Sequence, residues 1–107
     1  MLDRSFLVLL SLHREPLHGY AIKKAVLDLS GGTVDLEPGG LYRLIGRLVD
    51  EGLLEPVTSP SDEPSKGPPR NYYRITPAGE RAVAEQATRL SRLVARPELA
   101  AILRSAP

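Results

Sequence analysis

Residues 38–54, PGGLYRLIGRLVDEGLL, contain the clearest amphipathic pattern in the chain. Five apolar side chains recur at the spacing i, i+3, i+4, i+7 and i+8, which places them along one side of an α-helix. They are Leu41, Leu44, Ile45, Leu48 and Val49. Pro38 near the start and Gly52 after the end match the residue preferences of helix termini. This stretch therefore predicts a helix with a buried apolar stripe.

The opposite side of this predicted helix is basic and rich in glycine. At about 100° per residue, it holds Gly39, Arg43, Gly46, Arg47 and Asp50, with Tyr42 at its edge. A glycine inside a helix costs about 1 kcal/mol of helix stability relative to alanine, and a helix side that faces only solvent gives no reason for that cost. A helix side that another molecule approaches closely does give a reason. Arginine can bind guanine bidentately in the major groove of DNA. The pattern favours DNA contact over a solvated face, with Arg43 and Arg47 as candidate base readers.

Two more helices are predicted before this one. The run from Asp3 to His13 is densely apolar, which is typical of a largely buried helix, and Pro16 follows its end. In residues 17–32 apolar positions recur at helical spacing until Ser30-Gly31-Gly32. Tyr20 near the start of this second helix and Lys23 on its exposed side are candidates for binding an anion, with an ordinary helix surface as the alternative.

Two strands and a C-terminal helix are predicted after residue 52. Residues 53–57 and 70–75 are predicted to be strands separated by a loop rich in proline, serine and glycine. Thr76-Pro77 is typical of a helix start. Pro97 either kinks that helix or begins a last short turn.

The order of the predicted elements indicates a mainly α fold with a small β-hairpin. Three helices followed by a hairpin form a helix-turn-helix with a wing. We assign residues 1–76 to this winged helix-turn-helix and residues 77–107 to a C-terminal helix.

The predicted wing carries cations on a stiffened segment. Lys66 and Arg70 flank Gly67-Pro68-Pro69, whose restricted backbone lowers the entropy lost on binding. We therefore predict that both contact phosphate, with solubilising charges as the alternative. Arg74 lies on the following strand, where it could instead pair with Glu55 across the hairpin.

Composition excludes several classes of function. The chain has 107 residues and no cysteine, so disulfides, thiolate metal sites and thiol nucleophiles are absent. His13 and His18, with Glu15 between them, form the only conceivable metal cluster, and we interpret them as structural or solvent-exposed. We find no pairing of a nucleophile with a base and no glycine-rich phosphate loop. The sequence predicts no enzyme, no cofactor and no metal site.

The charge is small overall and unevenly distributed. The net charge is +1, with 6 Lys/Arg against 8 Asp/Glu in residues 1–57 and 8 against 5 in residues 58–107. Attraction to phosphate must therefore come from a few cations at particular positions.

The longest apolar run, Phe6 to Leu12, is too short to span a bilayer. We expect a cytoplasmic protein that does not bind membranes.

Three segments together resemble a known family. LHGY at 17–20, the block at 38–54 and GPPRNYYRITPAG at 67–79 are similar to motifs of the PadR-type winged-helix transcriptional regulators. The resemblance implies a bacterial repressor whose third helix and wing bind DNA and whose C-terminal helix forms a homodimer. It also implies that the Tyr42 hydroxyl meets a backbone phosphate, whereas the residues alone leave open that this ring packs at the core edge over the hairpin.

The chain departs from that family pattern in two places. Gly40 stands where the family usually has Thr or Ser, so a hydroxyl that could meet a phosphate is missing. The region after the wing is short, which resembles the compact branch of the family and puts in doubt an effector pocket in a larger C-terminal domain. The complete candidate DNA-binding set is Tyr20, Lys23, Gly39, Gly40, Tyr42, Arg43, Arg47, Lys66 and Arg70.

The C-terminal apolar residues predict a dimer. They are Val83, Ala87, Leu90, Leu93, Val94, Leu99, Ile102 and Leu103. A small domain with three helices over a hairpin does not need them all for its own core, and a monomer would expose an unusually large apolar surface. We predict a two-fold homodimer that binds double-stranded DNA at a pseudo-palindromic operator.

Two other functions remain open at this point. The first is a winged-helix adaptor that binds proteins through its apolar helices and never touches DNA. The second, compatible with DNA binding, is a ligand sensor whose effector shifts the dimer away from its DNA-binding spacing. The sequence leaves the effector open between a small molecule, a metal ion and none.

Overall fold

The computed structural model describes residues 3–58 and 71–106. The predicted wing cations Lys66 and Arg70 lie outside these ranges. Within them, five helices and three strands follow one another along the chain. They are α1 (Arg4–Ser11), β1 (Leu17–His18), α2 (Gly19–Leu29), α3 (Pro38–Asp50), β2 (Leu54–Val57), β3 (Tyr72–Ile75), α4 (Pro77–Val94) and α5 (Pro97–Ser105). The predicted fold class, a winged helix-turn-helix with further C-terminal helix, is confirmed.

An aliphatic core lies where α1, α2 and α3 meet the sheet. Its buried members are Leu7, Val8, Leu9, Leu12, Ile22, Val26, Leu36, Leu41, Ile45, Leu48, Leu54 and Ile75. The stripe predicted on α3 is confirmed, because Leu41, Ile45 and Leu48 are buried while Leu44 and Val49 pack against the same cluster. The core fixes the rotation of α3, so the glycine- and arginine-bearing side faces outward.

Side chains cap the N-termini of three helices. Asp3 Oδ1 accepts a hydrogen bond from the Ser5 backbone N–H at 3.0 Å at the start of α1. Thr76 Oγ1 accepts from the Gly79 N–H at 3.0 Å, which confirms the predicted start of α4. At α2, His18 Nδ1 accepts from the Ala21 N–H at 3.2 Å. His18 is therefore a structural residue, in agreement with its interpretation from sequence.

The sheet contains one strand more than the sequence predicted. The hairpin is present, with β2 and β3 antiparallel and in register from Leu54 opposite Ile75 to Val57 opposite Tyr72. On the other side of β3, β1 pairs antiparallel, so the order is β1-β3-β2. The expectation of a two-stranded hairpin is thus incomplete. A strand of two residues between a proline and a helix is too short to show an alternation of apolar and polar residues, so the sequence pattern does not predict it.

The C-terminal region consists of two helices. Arg96 adopts an extended backbone (φ −69°, ψ 144°) because it precedes Pro97, which excludes the helical region for it. Pro97 therefore begins the nine-residue helix α5, which is longer than the short turn that was one of the two expectations. Arg96 also pairs with Glu98 at 2.8 Å, and this hydrogen bond lowers the pKa of the Glu98 carboxyl.

The molecule is elongated by this C-terminal region. Its radius of gyration is 16.3 Å, against about 13 Å for a compact domain of 100 residues. The first half of α4 packs against α1, whereas Leu93 and Val94 at its end and Ile102 and Leu103 on α5 are more than half exposed. Across the described ranges, no helix is both long and apolar enough to cross a membrane.

Candidate nucleic-acid interface

The outward side of α3 carries most of the predicted contact residues. Gly39, Tyr42, Arg43, Gly46 and Arg47 are all exposed on this helix. Gly40 is half-buried at the N-terminal turn. The structure therefore brings five of the nine candidates onto one helix, opposite the buried stripe.

The glycines of this face are not required by the packing of the protein. A Cβ atom added at Gly46 would meet nothing within 4 Å. At Gly39 and Gly40 it would meet only the end of the Arg43 side chain, at 3.4 and 3.9 Å. Alanine would stabilise the helix at each internal position, so contacts within the protein do not explain why glycine stands there. It leaves the helix backbone open to close approach from outside.

Arg43 and Arg47 lie one turn apart but have different surroundings. Among the described residues, no acidic group lies within ion-pairing distance of Arg43, and its side chain is exposed. Arg47 is bound within the protein: its Nη2 donates to Ser5 Oγ at 2.8 Å, and its Nε lies 3.7 Å from Glu51 Oε1. Arg43 can therefore meet a ligand without breaking a contact, whereas Arg47 is tied to α1.

Tyr42 lies over the beginning of α2. A Cβ at Gly19 would approach the Tyr42 hydroxyl oxygen to 2.8 Å, so the ring occupies the space that this glycine leaves. Tyr42 remains 55% exposed, and the neighbouring Tyr20 is 64% exposed. The ring therefore rests on the first residue of α2 and keeps more than half of its surface exposed.

The lysines of α2 have different partners. Lys23 Nζ lies 3.5 Å from Asp35 Oδ1, so this predicted contact residue already has an acidic partner. Lys24 is exposed, with its Nζ 5.6 Å from the centre of the Tyr20 ring. Of the two lysines of α2, Lys24 is thus the one without an acidic partner among the described residues.

The alternative left open for Arg74 is resolved by the sheet. β2 and β3 place it opposite Glu55, and its Nε donates to Glu55 Oε1 at 2.7 Å. Arg74 therefore pairs across the hairpin.

Sequence reasoning missed a groove between the start of α1 and the outward side of α3, which we call the α1–α3 groove. Its volume is about 530 Å³, and its lining includes Arg4 and Ser5 from α1 and Gly40, Arg43 and Arg47 from α3. The nearest signal in the sequence is the Asp3-Arg4-Ser5 helix start, where an arginine follows a capping residue. Nothing in the sequence relates that arginine to α3.

The predicted dimerisation residues divide into two groups. Val83 packs against the core of its own domain, and Leu90 and Leu99 are half-buried. Ala87, Leu93, Val94, Ile102 and Leu103 are exposed. The exposed apolar surface is therefore concentrated at the end of α4 and on α5, away from α3.

Comparison with known proteins identifies relatives of the chain. The sequence profile of the "Transcriptional regulator PadR-like family" matches residues 8–85. A 37.1 kDa protein of transposon Tn4556 from Streptomyces fradiae is 37% identical over 94 residues. That alignment covers 88% of this chain but only 25% of the relative, so the chain spans a quarter of that protein's length.

Solved structures with the same fold include two informative neighbours. A PadR family transcriptional regulator from Eggerthella lenta is 31% identical with a TM-score of 0.66, and the alignment covers 97% of this chain and 86% of that one. Bacillus subtilis PadR in complex with operator DNA has a TM-score of 0.66 at 19% identity, over 78% of this chain and 45% of that one. The latter likeness concerns the fold alone.

The family match covers most of the chain, and it includes α2, α3 and the strands that bear the motifs singled out in the sequence. Members of this family are transcriptional regulators and not enzymes, as the lack of a catalytic constellation in the sequence predicted. The chain belongs to the PadR-like family of transcriptional regulators.

Proposed function

We propose that this protein is a sequence-specific DNA-binding repressor that acts as a homodimer on a pseudo-palindromic operator. The observation that carries the proposal is the outward side of α3, where arginines stand among glycines that the protein's own packing does not require. The glycines lower the stability of the helix. Close contact with the wall of a DNA groove explains that cost, whereas exposure to solvent does not. The complex of Bacillus subtilis PadR with operator DNA supports the same use of the shared fold.

In this proposal α3 enters the major groove. Gly39, Gly40 and Gly46 let the helix backbone approach the bases, and the exposed Arg43 guanidinium reads a guanine. Base contacts of this kind supply specificity, while phosphate contacts set the register of the protein on the duplex.

The phosphate contacts surround α3. Tyr42 and Tyr20 are each more than half exposed and lie near the N-terminus of α2, where backbone N–H groups favour an anion. Lys23 adds its charge to the same side of the helix, shared with Asp35. Lys66 and Arg70 complete the set from the predicted wing.

The homodimer uses the C-terminal helices. The exposed Leu93, Val94, Ile102 and Leu103 form the apolar surface that a second copy would cover. Two-fold symmetry then places the two α3 helices about 34 Å apart, or a multiple of that distance, on the operator. The two winged helix-turn-helix domains of the dimer could adopt more than one spacing. An effector that binds a spacing unsuited to the operator would shift the dimer population toward it and release the DNA.

Binding to a fluorescent duplex from immediately upstream of the protein's own gene tests the proposal. We expect tight binding that weakens with salt and survives an excess of an unrelated duplex, because only specific contacts resist such competition. Equal loss to the competitor would contradict sequence specificity. An absence of binding at two salt concentrations would favour the adaptor function, in which the apolar helices bind a protein partner.

A further inference from the structure

The α1–α3 groove is bordered by three arginines and one carboxylate. Arg4 comes from α1, and Arg43 and Arg47 come from α3, while Asp3 is the acidic residue of the lining. The Asp3 carboxylate is already engaged, because it accepts the Ser5 backbone N–H that begins α1. In the described part of the chain, neither Arg4 nor Arg43 lies within 4 Å of an acidic group. The groove therefore has an excess of positive charge.

A glycine of α3 belongs to the lining of the groove. It is Gly40, and a Cβ at this position would lie 3.9 Å from Arg43 Nη2. An anion seated in the groove would be reached from both sides by guanidinium groups.

Arg47 is oriented toward α1. Its Nη2 donates to Ser5 Oγ at 2.8 Å, and Glu51 lies on its other side at 3.7 Å. Extending this side chain to a base edge would break both contacts. Binding an anion inside the groove would not, because a guanidinium has five N–H donors and the bond to Ser5 uses only one of them.

We propose that the α1–α3 groove binds one backbone phosphate of the duplex through Arg4 and Arg47, which leaves Arg43 as the base-reading arginine of the pair. The proposal rests on the DNA-binding function above and adds the start of α1 to the surface that contacts DNA. Guanidinium groups suit a phosphate because their donors match its oxygens in pairs. A phosphate held here would fix the depth at which α3 lies in the major groove.

The test measures how the dissociation constant of a duplex changes with salt for single arginine variants. Arg4→Ala and Arg47→Ala should each weaken the upstream duplex and an unrelated duplex by the same factor. Each should also reduce the slope of log affinity against log salt by up to about 0.9, the value for one lost phosphate contact, because the two arginines share one phosphate. Arg4→Lys should largely restore the slope, because the charge returns.

Two further variants serve as controls. Arg14→Ala removes an exposed arginine beyond the other end of α1, so its salt slope should equal that of the wild type. Arg43→Ala should reduce the ratio of specific to non-specific affinity about 5- to 150-fold, the ratio that corresponds to about 1–3 kcal/mol. Thermal unfolding of each variant checks that the fold is retained.

The outcomes separate this proposal from the function on which it rests. If the wild type binds DNA and Arg4→Ala keeps the wild-type slope, the groove does not bind phosphate and the DNA-binding function stands. If Arg47→Ala lowers the specificity ratio instead of the slope, Arg47 reads a base and the assignment is overturned. If the wild type binds no duplex, both proposals fail.

Discussion

Two glycines illustrate how differently single residues constrain this protein. Gly46 faces open space on α3, whereas a Cβ at Gly79 would lie 2.7 Å from Ile75 Cγ1 and inside contact distance of the Leu53 carbonyl oxygen. Gly79 is therefore required by the fold. Gly46 lowers helix stability, and the packing of the folded chain does not require it.

Replacing Gly46 with alanine should stabilise the fold and weaken DNA binding. The free energy of unfolding should rise by about 1 kcal/mol, because alanine favours the helix over glycine. The added methyl group should at the same time hold α3 away from the duplex. Urea denaturation and duplex titration measure the two effects. A stabilised variant with wild-type affinity would show that close approach at this position is unnecessary.

Replacing Gly79 with alanine should have the opposite effect on stability. The new Cβ would be forced against Leu53 and Ile75, and overpacking of this kind costs about 1–3 kcal/mol. The midpoint of urea denaturation should fall accordingly. Gly46→Ala is the matched control, and equal midpoints for the two variants would contradict the packing argument.

Among the elements, α3 was predictable and β1 was not. The stripe from Leu41 to Val49 is long and strongly periodic, so its pattern determined both the helix and its buried side. β1 has two residues, and its pairing with Tyr72 and Tyr73 depends on the tertiary fold. Local sequence carries no signal for such a strand.

The candidate site was likewise predictable only where local sequence determines the position of a residue. The outward position of Arg43 follows from helical periodicity alone. The bond between Arg47 and Ser5 joins residues 42 positions apart, and it exists only because the tertiary fold brings the start of α1 close to α3. Sequence therefore identified the face of the helix but could not distinguish the environments of its two arginines.

The start of α4 offers a test at the scale of an element. Thr76 Oγ1 accepts from the Gly79 N–H and donates to the Gly52 carbonyl oxygen at 2.6 Å. Thr76→Val removes both hydrogen bonds at nearly constant volume and should cost about 0.5–2 kcal/mol. Thr76→Ser keeps the hydroxyl and should lose less. Equal losses in urea denaturation would show that the hydroxyl does not stabilise α4.

At the scale of the whole molecule, the elongated shape and the apolar C-terminus belong together. Ile102 and Leu103 are 62% and 60% exposed on a helix that extends the protein away from its core. A monomer gains nothing from such a surface, and a contiguous apolar surface is typical of an interface. The shape and the exposed apolar surface both support the proposed homodimer.

A charge on α5 should therefore separate the proposed dimer. Ile102→Glu places a carboxylate in the apolar surface and should reduce the molar mass measured by light scattering to that of one chain. Ala101→Glu adds the same charge on the opposite side of α5 and should leave the dimer intact. Identical masses for both variants would contradict a role of this surface in dimerisation.

The attachment of α4 has a mechanical consequence. Thr76 is bound to Gly52 and Leu53 in the turn that follows α3, so the start of α4 and the end of α3 move as a unit. α4 has 18 residues and is thus about 27 Å long at about 1.5 Å per residue. If α4 rotates by about 10° together with the domain on which its first half packs, its far end moves by about 5 Å, which exceeds the rise of one base pair. A small rotation of the DNA-binding domain would therefore become a larger displacement at the end of α4.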